Sequence, residues 1–133
     1  ENFLAYYPGL KELKDKTIPA DARRGYFQGL DGRFVMCSSE HLMLAGYLQN
    51  GEKIIMARAA VEWTSYLDAL NIEYIFVNFV HDEWQVLIRD SDDIEAIVSK
   101  AQIEAIRNQS EALNMNIPLD GNSKSGGSWL DTH

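Results

Sequence analysis

The sequence has little cysteine, little proline and no long apolar run. Cys37 is the only cysteine, so the chain forms neither an internal disulfide nor a cysteine-based metal cluster. A helix that crosses a bilayer needs about 20 mostly apolar residues, and the absence of such a run argues against a membrane protein. A basic leader followed by an apolar segment is also missing from the N-terminus. We therefore expect an intracellular protein that does not enter a membrane.

Positive charge is scarce in the second part of the sequence. Residues 1–58 contain eight Lys or Arg and seven Asp or Glu, whereas residues 59–133 contain four and 13, and the formal net charge is −8. This balance argues against a free-standing nucleic-acid-binding protein. It suits a site that binds cations, and it repels phosphate unless a cation or a basic segment intervenes.

Apolar residues at helical spacing predict three helices. The first ends by residue 16, and its apolar face carries Phe3, Tyr6, Tyr7, Leu10 and Leu13. The second is long, covering residues 40–70, with Asn50-Gly51 as a point where it breaks or bends. Its apolar face begins with Leu42, Ala45 and Leu48. The third follows the acidic cap at residues 90–93 and extends to Leu113.

Two β-hairpins alternate with these helices. In the first, Asp31-Gly32 separates two short β-prone runs, and Asp-Gly is a strong hairpin signal. In the second, two apolar runs within residues 74–88 flank His81-Asp82-Glu83. The segregation of helices and strands predicts an α+β fold, with helices on one face of an antiparallel sheet. After Ile117 the tail is extended and glycine-rich, and we expect Trp129 to pack into the core.

The triplet His81-Asp82-Glu83 is the most informative feature of the sequence. Asp and His tolerate turns, so a purely structural polar turn explains the triplet. A carboxylate on a rigid hairpin is also a suitable hard oxygen ligand for Mg²⁺. These residue types alone leave both interpretations open.

Several stretches resemble, in the same order, the C-terminal portion of family A (DNA polymerase I-type) DNA polymerases, particularly the phage replicative branch. Val80-His81-Asp82-Glu83 resembles motif C. Leu30-Asp31-Gly32-Arg33 resembles the hairpin before a helix with spaced His, Asn and Gln, and residues 40–49 resemble that helix. Residues 118–121 and 126–133 resemble the closing segment of the family.

This resemblance implies that the chain is the C-terminal part of a polymerase palm domain. It implies a palm-type antiparallel sheet, with the motif C hairpin packed on long helices. Residues 1–16 are interpreted as the helix that follows the fingers. The chain begins at Glu1 rather than at a methionine, as if within a longer protein. Both a piece of a longer polymerase and a separately encoded half that assembles with a partner carrying motif A fit the sequence, and we expect either to act in the cytoplasm of a bacterium or of a phage's host.

The resemblance also implies template-directed nucleotidyl transfer by a two-metal mechanism. Asp82 matches a catalytic aspartate that binds a pair of Mg²⁺ ions together with a second carboxylate. Glu83 matches an acid with a supporting role, and His81 matches a residue that contacts the primer terminus. Glu83 and His81 also fit a structural turn.

Other positions match residues that contact DNA in the family. Gln49 matches a glutamine that reaches the minor groove near the primer terminus, where N3 and O2 acceptors allow contact without sequence choice. His41 lies eight residues earlier, so both side chains can share one helix face, and it matches a position that touches the duplex. Arg33, Arg23 and Arg24 are candidates for contact with phosphate or sugar.

The chain departs from the family mainly in what it lacks. Ala45 stands where the family has asparagine, and residues 51–53 differ from the usual small-residue run. No segment resembles motif A, which carries the second carboxylate, or motif B, the thumb or the 3′–5′ exonuclease region. We therefore expect the isolated chain to be inactive. Its expected partners are primer–template DNA, dNTP and the remaining polymerase segment, in cis or in trans.

Two other classes of function stay open at this stage. The chain is compatible with a non-catalytic binding or assembly half of a split polymerase, in which the hairpin acid is structural. A small metal-dependent hydrolase would need more ligands than His81, Asp82 and Glu83 supply. Arg58 lies near a basic helix position of the family but also fits a solvated helix charge.

Overall fold

A computed structural model describes residues 6–132. The chain divides into two compact units, Glu1–Ile54 and Ile55–His133. The predicted α+β class is confirmed, although the strands form two separate two-stranded antiparallel sheets instead of one sheet. Phe3 and His133 lie outside the described residues. Within the described part of the chain, no helix is long and apolar enough to cross a membrane.

The first unit begins with a helical stretch that continues beyond its predicted end. Helix α1 (Pro8–Glu12) is followed by a π-helical segment (Leu13–Thr17) and helix α2 (Ile18–Arg24). The predicted end by residue 16 is therefore wrong. Pro8 lies in the first turn of α1, where the missing N–H has no partner to lose, and Pro19 lies at the start of α2 directly after the π-helical segment.

Helix α2 ends at a glycine and leads directly into the first hairpin. Gly25 has a φ of 83°, a left-handed conformation that glycine adopts without steric cost. Strand β1 (Tyr26–Gln28) then pairs antiparallel with strand β2 (Phe34–Met36). The loop between them is closed by a backbone hydrogen bond of 2.9 Å from Gly29 N to Arg33 O. The hairpin predicted from Asp31-Gly32 is confirmed.

Phe27 occupies the centre of the small apolar core in the first unit. Its side chain is fully buried together with those of Ile18 and Met43. Its ring stacks on Tyr47 with a centroid distance of 4.2 Å. A Cβ on Gly46 would lie 3.3 Å from the Phe27 ring, so the glycine permits a close approach of strand β1 to helix α3 (Glu40–Ala69).

Helix α3 runs without interruption for 30 residues. The predicted break or bend at Asn50-Gly51 does not interrupt it. The predicted inward face of its first half is wrong, because Leu42 and Leu48 are 60% and 64% exposed whereas Met43 is buried. The helix ends at Ala69, and Asn71 follows with a left-handed φ of 54°, as expected for the predicted stop.

The second unit combines the rest of α3 with the second hairpin and two further helices. Strand β3 (Tyr74–Val80) pairs antiparallel with strand β4 (Glu83–Ile88). Helix α4 (Asp92–Ala112) and the short helix α5 (Trp129–Thr132) complete the unit. Trp129 is 60% exposed, so the expectation that it packs into the core is wrong.

Trp63 is the central residue of the larger apolar core, and its side chain is fully buried. Its ring lies 5.1 Å from that of Tyr74 and 6.0 Å from that of Trp84, measured between centroids. Its indole Nε1 donates a hydrogen bond of 3.4 Å to the carbonyl of Val98. One side chain therefore joins α3, both strands of the second hairpin and α4.

The tail between α4 and α5 runs back along α4. Leu119 N donates to Ser110 Oγ at 2.6 Å, and farther along Ser123 Oγ contacts Ser99 Oγ at 3.1 Å. Between these contacts, Arg107 Nε donates to Asp120 Oδ1 at 2.9 Å. The hydrogen bond from Arg107 lowers the pKa of Asp120 below its usual value.

We predict that Trp63→Ala destabilises the fold by about 3–5 kcal/mol, because it leaves a cavity where three elements meet. Tyr66→Ala is the control, since Tyr66 lies on the same helix and is 51% exposed. It should cost about 0.5 kcal/mol or less. Urea unfolding followed by circular dichroism gives both values, and equal losses for the two variants would contradict the role assigned to Trp63.

Candidate functional site

The second hairpin presents the predicted triplet at its tip. Val80 pairs with Glu83 at the end of the ladder, so His81 and Asp82 form a two-residue turn. His81 has a φ of 53°, in the left-handed region that His tolerates better than most residues. All three residues of the triplet are exposed to solvent. The turn thus points two carboxylates and an imidazole away from the core.

The base of this turn is fixed by aromatic packing. Phe79 pairs with Trp84 directly below the turn, and their rings meet edge to face with centroids 6.1 Å apart. Trp84 is only 8% exposed and packs against Trp63. A register shift between Phe76 and Asn78 marks a bulge in β3. Bulges locally increase strand twist and redirect side chains.

The two carboxylates of the turn have different surroundings. Glu83 Oε1 accepts a hydrogen bond of 2.6 Å from Gln85 Nε2. The Asp82 carboxylate is exposed, as a ligand donor to an external cation must be. Among residues 6–132, no group of three His, Cys, Asp or Glu side chains is arranged to hold a metal ion.

His41 and Gln49 both lie exposed on the first half of α3. Between them, Leu42, Ala45 and Leu48 are exposed as well. These three residues, which were expected to face the core, therefore lie on the same exposed part of α3 as His41 and Gln49. Ala45, at the position where the family has asparagine, is part of this surface.

Arg33 lies at the end of the loop in the first hairpin, and its side chain is 79% exposed. Its Nε donates to Asp31 Oδ2 at 2.5 Å. Desolvation raises the pKa of Asp31, but hydrogen bonds from the backbone and guanidinium of Arg33 more than offset this, so the pKa is lower than usual. Arg33 is therefore held by an ionised neighbour.

The loop of the first hairpin packs against α3 at Asn50 and Gly51. A Cβ on Gly51 would lie 3.5 Å from Leu30 Cδ1, and Gly29 lies against the side chain of Asn50. The three DNA-contact candidates, Arg33, His41 and Gln49, all belong to the first unit. The three catalytic candidates share one turn in the second unit.

Comparison with known proteins gives three phage polymerases as relatives. The chain is 28% identical over 117 residues to the DNA-directed DNA polymerase of Enterobacteria phage T3, which covers 84% of this chain and 16% of that polymerase. The same values hold for the DNA-directed DNA polymerase of Escherichia phage T7. For that of Escherichia phage Phieco32, identity is 25% over 138 residues, covering 98% of this chain and 22% of that polymerase.

No family model matches the chain. The chain spans between 16% and 22% of the length of these three relatives. The similarity nevertheless extends over most of its own residues. The resemblance to phage DNA polymerases that the sequence predicted is therefore confirmed.

Sequence reasoning missed a buried polar network between α3 and α4. Gln109 is 2% exposed, and its Nε2 donates to Glu62 Oε2 at 2.8 Å. Its Oε1 accepts from Arg58 Nε at 3.1 Å, so Arg58 is not only a solvated charge. Gln109 continues the spacing of buried Ala101 and Ala105 by one turn, which was the available signal.

A second missed network joins α2 to α3 in the first unit. Asp21 is 3% exposed, and its carboxylate accepts hydrogen bonds from the guanidinium of Arg24 and the hydroxyl of Tyr47. Desolvation and the bond to Asp21 raise the pKa of Tyr47 to about 12. The hydroxyl therefore remains a donor to the buried carboxylate over the ordinary pH range.

We predict that Tyr47→Phe costs about 2 kcal/mol at pH 7, because it removes a donor from a buried charge. A folded-state pKa of about 12, above the usual 10.0, means that this contribution is complete below pH 10 and lost as the pH rises toward 12. Urea unfolding at several pH values measures it, with the exposed Tyr66→Phe as control. A difference between wild type and Tyr47→Phe that stays constant up to pH 12 would contradict this assignment.

Proposed function

We propose that this chain is the C-terminal part of the palm domain of a phage-type family A DNA-directed DNA polymerase. It would contribute the motif C aspartate to template-directed nucleotidyl transfer. The observation that carries the proposal is the similarity to three phage DNA-directed DNA polymerases over 84% to 98% of the chain. The exposed turn at the tip of the second hairpin supports it, since the motif C resemblance falls on that turn.

Asp82 is the proposed metal ligand. Its carboxylate is exposed at a turn whose base is anchored by Trp84, so little backbone freedom is lost on binding. Mg²⁺ held between Asp82 and a motif A carboxylate outside this chain would supply activation of the primer 3′-hydroxyl and charge stabilisation on the triphosphate of the dNTP. Such ions use few protein carboxylates, so one aspartate from this segment suffices.

His81 and Glu83 take supporting roles beside Asp82. The His81 imidazole can donate a hydrogen bond toward the sugar or phosphate at the primer terminus. Glu83 adds negative charge next to the metal ligand, and its bond from Gln85 orients the carboxylate. The acidic character of residues 59–133 favours cations in the same unit.

Gln49, His41 and Arg33 are the proposed DNA contacts. The exposed amide of Gln49 can donate to minor-groove acceptors without reading sequence. The apolar side chains around it on α3 suit a surface that lies against sugar edges. Arg33, held by Asp31 next to this helix, presents a guanidinium to phosphate.

The rest of the polymerase completes the proposed function from outside these residues. A segment with motifs A and B would supply the second carboxylate and the dNTP-binding helix, whether in the same polypeptide or in a separate one. Residues 1–16 would follow the fingers. A non-catalytic assembly half of a split polymerase is the alternative, in which the turn at Asp82 only maintains the hairpin.

We predict that the purified chain alone does not extend a primer, and that extension appears when it is joined or mixed with the polymerase segment that carries motifs A and B. In that assembly, Asp82→Asn should lower the extension rate at least ~100-fold, the scale of losing one preorganised electrostatic contact. Asp90→Asn is the matched control, because Asp90 is an exposed acid in the same unit. Gel-resolved primer extension with Mg²⁺ measures the rates.

The outcomes separate the two candidates. Extension by the chain alone would contradict the proposal of a shared site. Assembly that restores extension but is insensitive to Asp82→Asn would favour the non-catalytic half.

A further inference from the structure

An open groove of about 560 Å³ lies on the first unit, along the end of the helical stretch that precedes the first hairpin. Its lining consists of Lys16, Thr17, Ala20, Asp21, Arg23 and Arg24. Three of these six residues are cationic, and one is anionic. The catalytic candidates and the DNA-contact candidates Gln49, His41 and Arg33 do not line it, whereas Arg23 and Arg24, which the sequence analysis also considered for contact with phosphate or sugar, do.

The single acid of the groove does not cancel its positive charge at the surface. The Asp21 side chain is 4% exposed and is already bonded to Arg24 and Tyr47. Lys16 and Arg23, in contrast, are exposed to solvent. The surface that a ligand meets is therefore cationic, in a chain whose formal net charge is −8.

Arg24 is the preorganised member of the groove. Its guanidinium is bonded to the buried carboxylate of Asp21 and lies 5.4 Å from the ring centroid of Tyr26. A guanidinium carries five N–H donors, so this anchoring leaves others for a ligand. Holding the guanidinium in place reduces the entropy lost when an oxyanion binds.

The favourable interaction of cations with the C-terminal end of a helix dipole explains only part of this cluster of basic residues. Cations in the last turn of α2 are favourable for that reason, which accounts for Arg23 and Arg24. Lys16 lies in the preceding π-helical segment and faces the same groove. Its ion pair with Glu12, at 3.4 Å between two exposed side chains, holds it only weakly.

We infer that this groove binds a backbone phosphate of DNA through Lys16, Arg23 and Arg24. The inference rests on the proposed function, and it adds a contact with the duplex beyond those of Gln49, His41 and Arg33. Phosphate oxygens match the donors of arginine and lysine. The groove also supplies the basic segment that an otherwise acidic chain needs in order to approach a polyanion.

The first test follows the signals of the ¹⁵N-labelled chain during titration with a short primer–template duplex. Binding in the groove should shift the backbone amides of residues 16–24 and the side-chain Nε–Hε signals of Arg23 and Arg24. A parallel titration with inorganic phosphate at equal ionic strength should leave them nearly unchanged. Equal shifts with phosphate alone would make this a free-anion site and overturn the assignment to DNA.

The second test measures the salt dependence of DNA binding by fluorescence anisotropy. Each phosphate contact adds about 0.9 to the slope of log K against log salt. The double variant Lys16→Gln/Arg23→Gln should therefore lower the slope by up to about 1.8, whereas Lys100→Gln, an exposed cation on α4, should not. Arg24 is left intact, because removing it strips a partner from buried Asp21. An unchanged slope in the double variant overturns the inference.

Failure of this inference is distinguishable from failure of the proposed function. Shifts at Gln49 and the 81–83 turn without shifts in residues 16–24 would contradict DNA binding in the groove and leave the proposed function in place. DNA-induced shifts in residues 16–24, together with primer extension that is insensitive to Asp82→Asn, would support DNA binding in the groove and contradict the proposed function.

Discussion

The burial of one indole holds the second unit together. Trp63 projects from α3 into the space between both strands of the second hairpin and α4, and its N–H satisfies the carbonyl of Val98. A two-stranded hairpin is at best marginally stable in water, so the strands need this packing to stay ordered. The turn that carries Asp82 is therefore only as rigid as the aromatic cluster below it. The position of the Asp82 carboxylate thus depends on a core contact made by another element.

The sequence predicted the hairpins and the long helix because their signals are local. Asp31-Gly32 specifies a turn, and two β-prone runs around His81-Asp82 leave few other arrangements. Which face of α3 is buried could not be predicted from the local sequence. Leu42 and Met43 are adjacent and both apolar, and Met43 is the buried one because it faces the core formed with Phe27 and Ile18.

Other errors and omissions have physical causes of the same kind. The first helix was predicted to end by residue 16 because the residues after it carry few apolar side chains at helical spacing, yet the chain stays helical to Arg24. The candidate residues themselves were found from an ordered family resemblance, and the similarity to phage polymerases supports that route. The buried networks of Asp21 and Gln109 were missed, because helical spacing signals at most that Gln109 is buried, whereas pairing between distant polar residues leaves no local pattern in a sequence.

The central claim is that Asp82 is one ligand of a shared metal site, and Mn²⁺ tests it most directly. Substoichiometric Mn²⁺ should broaden the amide signals of residues 81–83 first, more strongly when the segment with motif A is present. This broadening should vanish in Asp82→Asn and persist in Asp90→Asn. Broadening centred instead on the acidic first turn of α4, at Asp92, Asp93 and Glu95, would contradict the claim.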